Sequence, residues 1–402
     1  MRLKDFSVLN PQYKGKNIDA EVSFVPMESL RNGIIDYQDI PFKEAKGKYT
    51  FFSDGDLLVA KVTPCFENGN IAIANEMKEG IGFGSSEIFV LRMNKKVLNS
   101  YMFYITQSSN FQNGACATMC GVGGLKRISP LFMRTYELDI PSISNQQHIV
   151  EYLDEKLTKI DGRIDVLEKQ QDAYVRLKKS IIHQAVTRGL NPDVSLKDSG
   201  IEWIGMIPEH WEVKRFKSIF SECKSVTETG QEDLLSVSEY YGIARRIDKM
   251  DDGEYESRAD SLIGYKICKK DDLVINIMLA WKRGLGFSDF DGIVSPAYAV
   301  YRGKNIVPHY FHYLMRTDMY VAEYKRNSKG IIDSRLRMYT DRFNNIIAIV
   351  PPLSEQEAIA SYLDEKCAKI GAAIENISKQ IDASKRLKRA LINEVITGQR
   401  AV

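Results

Sequence analysis

No stretch of the chain approaches the roughly 18 consecutive apolar residues that span a bilayer, and the opening MRLKDFSVLN has no apolar core of a secretory signal. A cytoplasmic protein with no membrane partner is expected. Cysteine is sparse and scattered: Cys65, Cys116, Cys120, Cys223, Cys268 and Cys367 contain no Cys-x-x-Cys. That spacing argues against a disulfide framework. It also argues against zinc, because Cys116 and Cys120 have no second ligand pair and His309 and His312 are thin as ligands. A strong excess of positive charge is missing too. The net charge is +2 and the pI about 8.0, short of the pI near 9 typical of whole domains that bind nucleic acid. Any positive surface must be local.

What the sequence has instead is one stretch written twice. Residues Pro141 to Thr187 and Pro351 to Thr397 align without a gap, with 21 of the 47 aligned positions identical. Tyr-Leu-Asp-Glu-Lys occurs at Tyr152 to Lys156 and again at Tyr362 to Lys366, and Arg176-Leu177-Lys178 returns as Arg386-Leu387-Lys388. Each copy carries apolar residues at alternating steps of three and four, the spacing of a narrow coiled-coil stripe. The predicted seam contains Leu153, Leu157, Ile160, Ile164 and Leu167 in the first copy, and Leu363, Ile370, Ile374, Ile377 and Ile381 in the second. Ser144 with Gln147, and Ser354 with Glu357, suggest capping boxes. Roughly 45 residues of helix give a rod of about 65 Å.

The direction of pairing follows from charge. Level, parallel copies would set Lys178 against Lys388 in the seam, a like-charge contact costing about 1 kcal/mol even in water. Reversing one copy about the midpoint sets Lys178 against Leu363 and Lys388 against Leu153. Ile160, Ile164 and Leu167 then meet Ile381, Ile377 and Ile374. An antiparallel pair is expected.

Around the rods lie two globular stretches. Residues 1–140 hold short apolar strands at Leu57 to Ala60, Asn70 to Ala74, Ile88 to Leu91 and Tyr136 to Ile140, and a helix over Ser100 to Gln107. Residues 191 to 213 are punctuated by Pro192, Gly200, Gly205 and Pro208, and Trp203 and Trp211 suggest that they pack onto something. Residues 214 to 350 repeat the first plan loosely. Gly55 to Val59 resembles Asp271 to Ile275, Ser85 to Arg92 resembles Ser295 to Arg302, and Tyr101 to Ile105 resembles Tyr310 to Leu314. The expected fold class is α+β: two mixed α/β domains separated by two long helices that form an antiparallel coiled coil, with an internal pseudo-twofold. The boundaries read 1–140, 141–190, 191–350 and 351–402. A shared scaffold with diverged globular parts suggests one assembly geometry carrying two recognition surfaces, an object suited to a duplex.

The order of globular unit, rod, globular unit, rod resembles the DNA-specificity subunit of type I restriction-modification systems. The Pro-x-x-Ser-x-Gln openings at Pro141 to Gln146 and Pro351 to Gln356, the Tyr-Leu-Asp-Glu-Lys core and Trp203-Ile204-Gly205 through Pro208-Glu209-His210-Trp211 carry the likeness. Asn276 to Trp281 and Gly292 to Tyr298 resemble segments of the family's second target-recognition domain. One departure stands out: no Trp-Ile-Gly segment comes before the first domain. The resemblance implies a non-catalytic subunit that reads a bipartite, asymmetric double-stranded DNA site and docks two modification subunits, which methylate adenine with S-adenosylmethionine. Restriction-translocase subunits using ATP and magnesium join the complex. No cofactor is expected on this chain.

The residues themselves agree that catalysis lies elsewhere. Gly121-Val122-Gly123-Gly124 lacks the lysine and hydroxyl of a phosphate-binding loop. Asn10-Pro11-Gln12-Tyr13 is superficially like a methyltransferase loop, but no cofactor-binding glycine fingerprint precedes it, and Glu76-Met77-Lys78 is half of a metal-nuclease pattern. For DNA contact, bidentate and cationic groups on glycine-flanked loops are wanted. They occur as Lys126 and Arg127 after the glycine-rich stretch, as Lys282 and Arg283 before Gly284, and as Lys329, Arg335 and Arg337 around Gly330. Each alone reads equally well as a solvated surface charge. Two other readings are weighed: a partner chain that fuses methylation with cleavage, and a coiled-coil adaptor that binds only proteins.

Overall fold

The computed structural model describes residues 1–122, 124–249 and 261–402. Two compact units make up the chain, one formed by Met1–Lys169 with Ser378–Val402, the other by Gln170–Ile377.

In the first unit an antiparallel sheet is built from β1 (Ser7–Leu9), β2 (Leu57–Ala60), β3 (Ile71–Ile73) and β4 (Ile88–Met93), in the order β1-β4-β2-β3. All four residues of β2 are buried, with Leu57 and Val59 in one core cluster and Leu58 and Ala60 in another. Opposite faces of one strand thus feed two cores. Helices α1 (Asn99–Gln107) and α2 (Ser109–Ala117) follow. A second sheet, in the order Gln38–Pro41, Glu21–Val25, Ile81–Gly84, Thr50–Ser53, contains a parallel pair between Glu21–Val25 and Ile81–Gly84. Helix α3 (Ile143–Arg188) is the first rod.

The second unit repeats the principal sheet with β5 (Phe220–Cys223), β6 (Asp272–Asn276), β7 (Leu285–Phe287) and β8 (Tyr298–Gly303), in the order β5-β8-β6-β7. Helices α4 (Pro308–Met315) and α5 (Asp318–Asn327) stand where α1 and α2 stand in the first unit, and α6 (Leu353–Ile396) is the second rod. Trp211 is wholly buried in this unit's core, and Trp203 meets Tyr320 edge-on at 5.0 Å between ring centroids. The punctuated segment before it is therefore docked.

One predicted strand does not form. In the second unit Ile347–Val350 pairs with Glu212–Arg215 over four residues. Tyr136 to Ile140 makes only an isolated bridge, Glu137 with Arg2, flanked by hydrogen bonds from Leu3 to Tyr136 and from Leu138 to Met1. The opposing chain turns into a 3-10 helix at Leu3–Asp5, which ends the ladder.

The two long helices pair antiparallel within each unit. In the first, Lys388 Nζ reaches both carboxylate oxygens of Asp161 at 2.7 Å, and Lys385 reaches Glu168 at 3.3 Å. One sequence rises as the other falls. In the second, Ala185 and Val186 share a core with Ile359, Ala360 and Leu363. Leu153, Leu157, Leu167, Leu363, Ile370, Ile377 and Ile381 are buried, while Ile160, Ile164 and Ile374 are half-buried.

The register differs from a midpoint reversal. Lys388 lies at Asp161, about two turns beyond Leu153. Leu153 instead enters the first unit's core with Tyr101 and Met102, a setting that would strip a lysine of its hydration. The capping boxes also differ: α3 starts at Ile143, Ser144 sits inside the helix, and Ser142 Oγ accepts from the Asn145 amide.

Candidate nucleic-acid interface

Each unit fixes its globular part to its rods through the same side chains. Gln146 is fully buried; its Nε2 donates to the carbonyls of Pro141 and Lys96, and its Oε1 accepts from the Leu98 amide. Gln356 does the same with Pro351 and Val307. The Tyr104 hydroxyl donates to Asp154, and that of Tyr313 to Asp364 at 2.7 Å. Burial and the adjacent carboxylate push both phenols far above their usual pKa, so both stay protonated donors. These are the glutamine of the Pro-x-x-Ser-x-Gln opening and the aspartate of Tyr-Leu-Asp-Glu-Lys. Both motifs are joints.

The sheets share an ion pair. Arg92 Nε and Nη2 grip Asp56 at 2.8 and 2.6 Å, and Arg302 grips Asp272 at 2.9 and 3.0 Å. Each aspartate is buried and also accepts a backbone amide, from Ser53 or Lys269.

From this frame each unit projects a hairpin just before the segment that leads to its rod. In the first, Cys120 and Arg127 exchange backbone hydrogen bonds of 3.0 and 2.9 Å, and Ile128 ties the base to Lys61. In the second, Lys329 and Arg337 do so at 3.0 and 2.9 Å, and Met338 ties to Ile277. Both hairpins require glycine. A Cβ at Gly121 would lie 2.2 Å from the Leu125 carbonyl oxygen, and one at Gly330 would lie 2.6 Å from that of Arg335. Gly123 of the glycine-rich stretch lies outside the described residues.

The predicted contact residues divide by what they already hold. Lys126, Lys329 and Arg335 are exposed on the hairpins, with no side-chain partner among the described residues. Arg337 is on the same hairpin, half-buried, and donates to its neighbour's carbonyl at Leu336. Lys282 rests over the Trp281 ring at 5.0 Å, close to Lys325 at 5.3 Å over the same ring. Arg127 is held by both oxygens of Glu87 at 2.8 and 2.9 Å. Arg283 has a left-handed backbone and is spent on Asp318 and the Arg316 carbonyl. It braces the turn from within, and glycine flanking alone does not distinguish such a brace from a free cation.

Two helical lysines are likewise occupied, Lys179 by Asp318 at 3.3 Å and Lys388 by Asp161. Asn10 of the methyltransferase-like string exchanges hydrogen bonds with Val90 through its backbone amide and its Oδ1. Lys78 of the nuclease-like string pairs with Asp39 and Glu21. Sequence reading missed Tyr240, 85% exposed in the turn between the strands Leu235–Ser238 and Gly242–Arg245. The half-buried guanidinium of Arg316 holds that turn by the carbonyls of Glu239 and Tyr240. The Tyr240-Tyr241-Gly242 run was the signal available.

The family model described as "Type I restriction modification DNA specificity domain" matches residues 4–171. The specificity subunit of the type I restriction enzyme EcoAI from Escherichia coli is 30% identical over 43% of this chain, and that of EcoEI is 31% identical over 45%. These matches span 30% and 31% of those relatives' own lengths. The MjaVIII specificity subunit of Methanocaldococcus jannaschii is 22% identical across 96% of this chain and 87% of its own. Among solved structures, a chain from a study of type I restriction-modification assembly and conformational transition has a TM-score of 0.74 at 15% identity, covering 98% of this chain and 96% of that one. The HsdS subunit from Thermoanaerobacter tengcongensis has a TM-score of 0.55 at 16% identity, covering 100% of this chain and 96% of its own. At those identities the likeness carries the fold. The match over residues 4–171 is to the type I restriction-modification DNA-specificity family, and the likeness in fold covers 98% of the chain.

Proposed function

We propose that this chain is the non-catalytic reading subunit of a type I restriction-modification complex, each unit reading one part of a split, asymmetric duplex site with a fixed gap. It docks two modification subunits, which bring S-adenosylmethionine and methylate adenine. Translocase-nuclease subunits bring ATP and magnesium, and the assembly works in the cytoplasm. The observation that carries the reading is a hairpin built twice on one frame: same base, same obligatory glycine, different cations and different crest. Repeated placement with divergent chemistry suits two half-sites of unlike sequence.

Mapping methylated adenines across the genome of cells carrying this chain and its partner tests the proposal. One motif in two parts separated by a constant number of bases is expected; a single contiguous motif or a variable gap refutes it. An adaptor that binds only proteins would leave the complex without salt-dependent affinity for duplex DNA, since no phosphate contacts would release counterions.

A further inference from the structure

The crest of each hairpin carries an aliphatic side chain turned out to solvent. Ile331 is 100% exposed and Val122 is 90% exposed, with Ile332 and Leu125 beside them at 53% and 55%. Single exposed apolar residues are ordinary on protein surfaces. Here four things coincide. Both residues directly follow the glycine that the hairpin cannot replace. They stand at the same place in two units whose globular sequences otherwise differ widely. Each is mounted on a bridged base tied to the principal sheet side of its unit, through Lys61 or Ile277. And each is accompanied by exposed cations without a side-chain partner among the described residues: Lys126 in the first hairpin, Lys329 and Arg335 in the second.

We infer that Val122 and Ile331 are wedges that enter between stacked base pairs, each unstacking one step in its own half-site. This rests on the DNA-reading proposal above. An apolar wedge needs to be exposed, branched enough to fill the space between opened bases, and held so that insertion costs little ordering. Cations at its sides then meet the phosphates flanking the opened step. The charge around the crests favours duplex DNA over a partner protein. The one carboxylate on the second hairpin, Asp333, is paired with Lys325 at 3.0 Å.

The test uses the whole complex with its modification subunits on duplexes carrying the mapped site. 2-Aminopurine is placed singly along each half, at positions other than the methylated adenine, which the modification subunit can extrude by itself. One position per half should brighten on binding. Ile331→Ser should abolish the signal in one half and leave the other, and Val122→Ser the reverse. Affinity should fall on the order of tenfold for each, with the salt dependence unchanged because no phosphate contact is lost. Ile331→Leu should retain the signal. Melting curves for the serine variants should superimpose on wild type, since both side chains are solvent-exposed.

The wedge is overturned if no position brightens, or if both signals survive both serine variants while specific binding persists. It is equally overturned if Ile331→Ser releases the modification subunits, which would make the crest a protein-docking surface. Should the weakened binding follow replacement of thymine by uracil, and not the unstacking signal, the crest would be touching a thymine methyl in the groove instead. A wild-type complex with no site-specific binding at all overturns the DNA-reading proposal itself, a result seen before any variant is made.

Discussion

The two units keep the same four-stranded sheet order, the same buried aspartate with its arginine, and the same glutamine and tyrosine ties to the long helices. They differ at what projects from that frame. The first adds a mixed sheet around Glu21–Val25, while the second has two-stranded pieces in its place. The first hairpin's arginine, Arg127, is neutralised by Glu87, and the aligned position in the second unit is Ala297. In a duplicated chain, what both copies retain is what attaches the globular part to its rods. What they alter is what a bound partner would touch.

If that division is right, damage to the rods must be felt by both units. Ile164→Pro places a proline inside α3, removing one backbone hydrogen bond and clashing with the preceding turn, at a cost of about 3 kcal/mol or more. Ile374→Pro does the same to α6. Either should abolish complex assembly and binding to both halves of the site, read by co-purification and by binding to each half-site. Loss of one half alone would show that the units do not depend on a common helix pair.

Damage to a sheet should stay in its unit. Arg92→Met or Arg302→Met leaves a buried carboxylate without its cation. A fully buried pair broken this way loses about 3–5 kcal/mol, and the partial exposure of both guanidinium groups brings the expectation down to about 2 kcal/mol. Arg92 also lies over the Phe51 ring at 5.4 Å, so Arg92→Met should cost somewhat more. Thermal melts of the two variants, with hydrogen exchange assigned to each sheet, compare them directly.

Among the positions where the aligned helices α1 and α4 differ, the half-buried Phe103 of the first unit corresponds to the half-buried His312 of the second. Burial, helped by the nearby Arg316 and His309 and opposed by Asp364, lowers His312 from 6.5 to about 4. The folded state holds the ring neutral, while the unfolded chain protonates below its ordinary value. Stability is therefore complete above about pH 6.5 and drains away as pH falls toward 4, by about 1.4 kcal/mol per pH unit. The second unit should be about 2 kcal/mol weaker at pH 5 than at neutrality, and His312→Phe, the residue its counterpart already uses, should flatten that slope. A slope unchanged by the substitution would assign the acid sensitivity to other groups.

How much of this was legible beforehand follows the same line. The rods and most of the seam came from a three-and-four spacing, which depends only on local geometry, and their direction came from the like-charge contact between Lys178 and Lys388 that level, parallel copies would impose. The matching strand segments were visible as well: Asp56 with Arg92, and Asp272 with Arg302, lie in the very stretches that align. Their pairing was not visible, because it is made across strands far apart in sequence. The register of the rods was misjudged for a related reason. Seam spacing is periodic and accepts several offsets, and the choice falls to Leu153, drawn into the first unit's core, and to Asp161, which receives Lys388. Among the cations, composition marked the glycine-flanked loops but did not separate Arg283, a brace inside its turn, from Arg335, which is exposed. That distinction is set by which carboxylates and carbonyls come near on folding.

The hairpin cations provide the finest comparison. Arg335→Ala removes an exposed guanidinium with no side-chain partner among the described residues, so folding should be untouched and any loss should appear at one half-site, about 1–3 kcal/mol if a bidentate base contact goes. Arg127→Ala instead uncouples Glu87 and leaves a carboxylate at the first hairpin's base. Its effect on the first half-site should be an added repulsion toward phosphate, seen as weaker binding with little change in sequence preference. Competition with duplexes altered base by base in each half separates the two outcomes. If Arg335→Ala weakens binding without relaxing any position, it meets phosphate; if Arg127→Ala relaxes a base, then the Glu87 pair opens on binding and the first hairpin reads DNA as directly as the second.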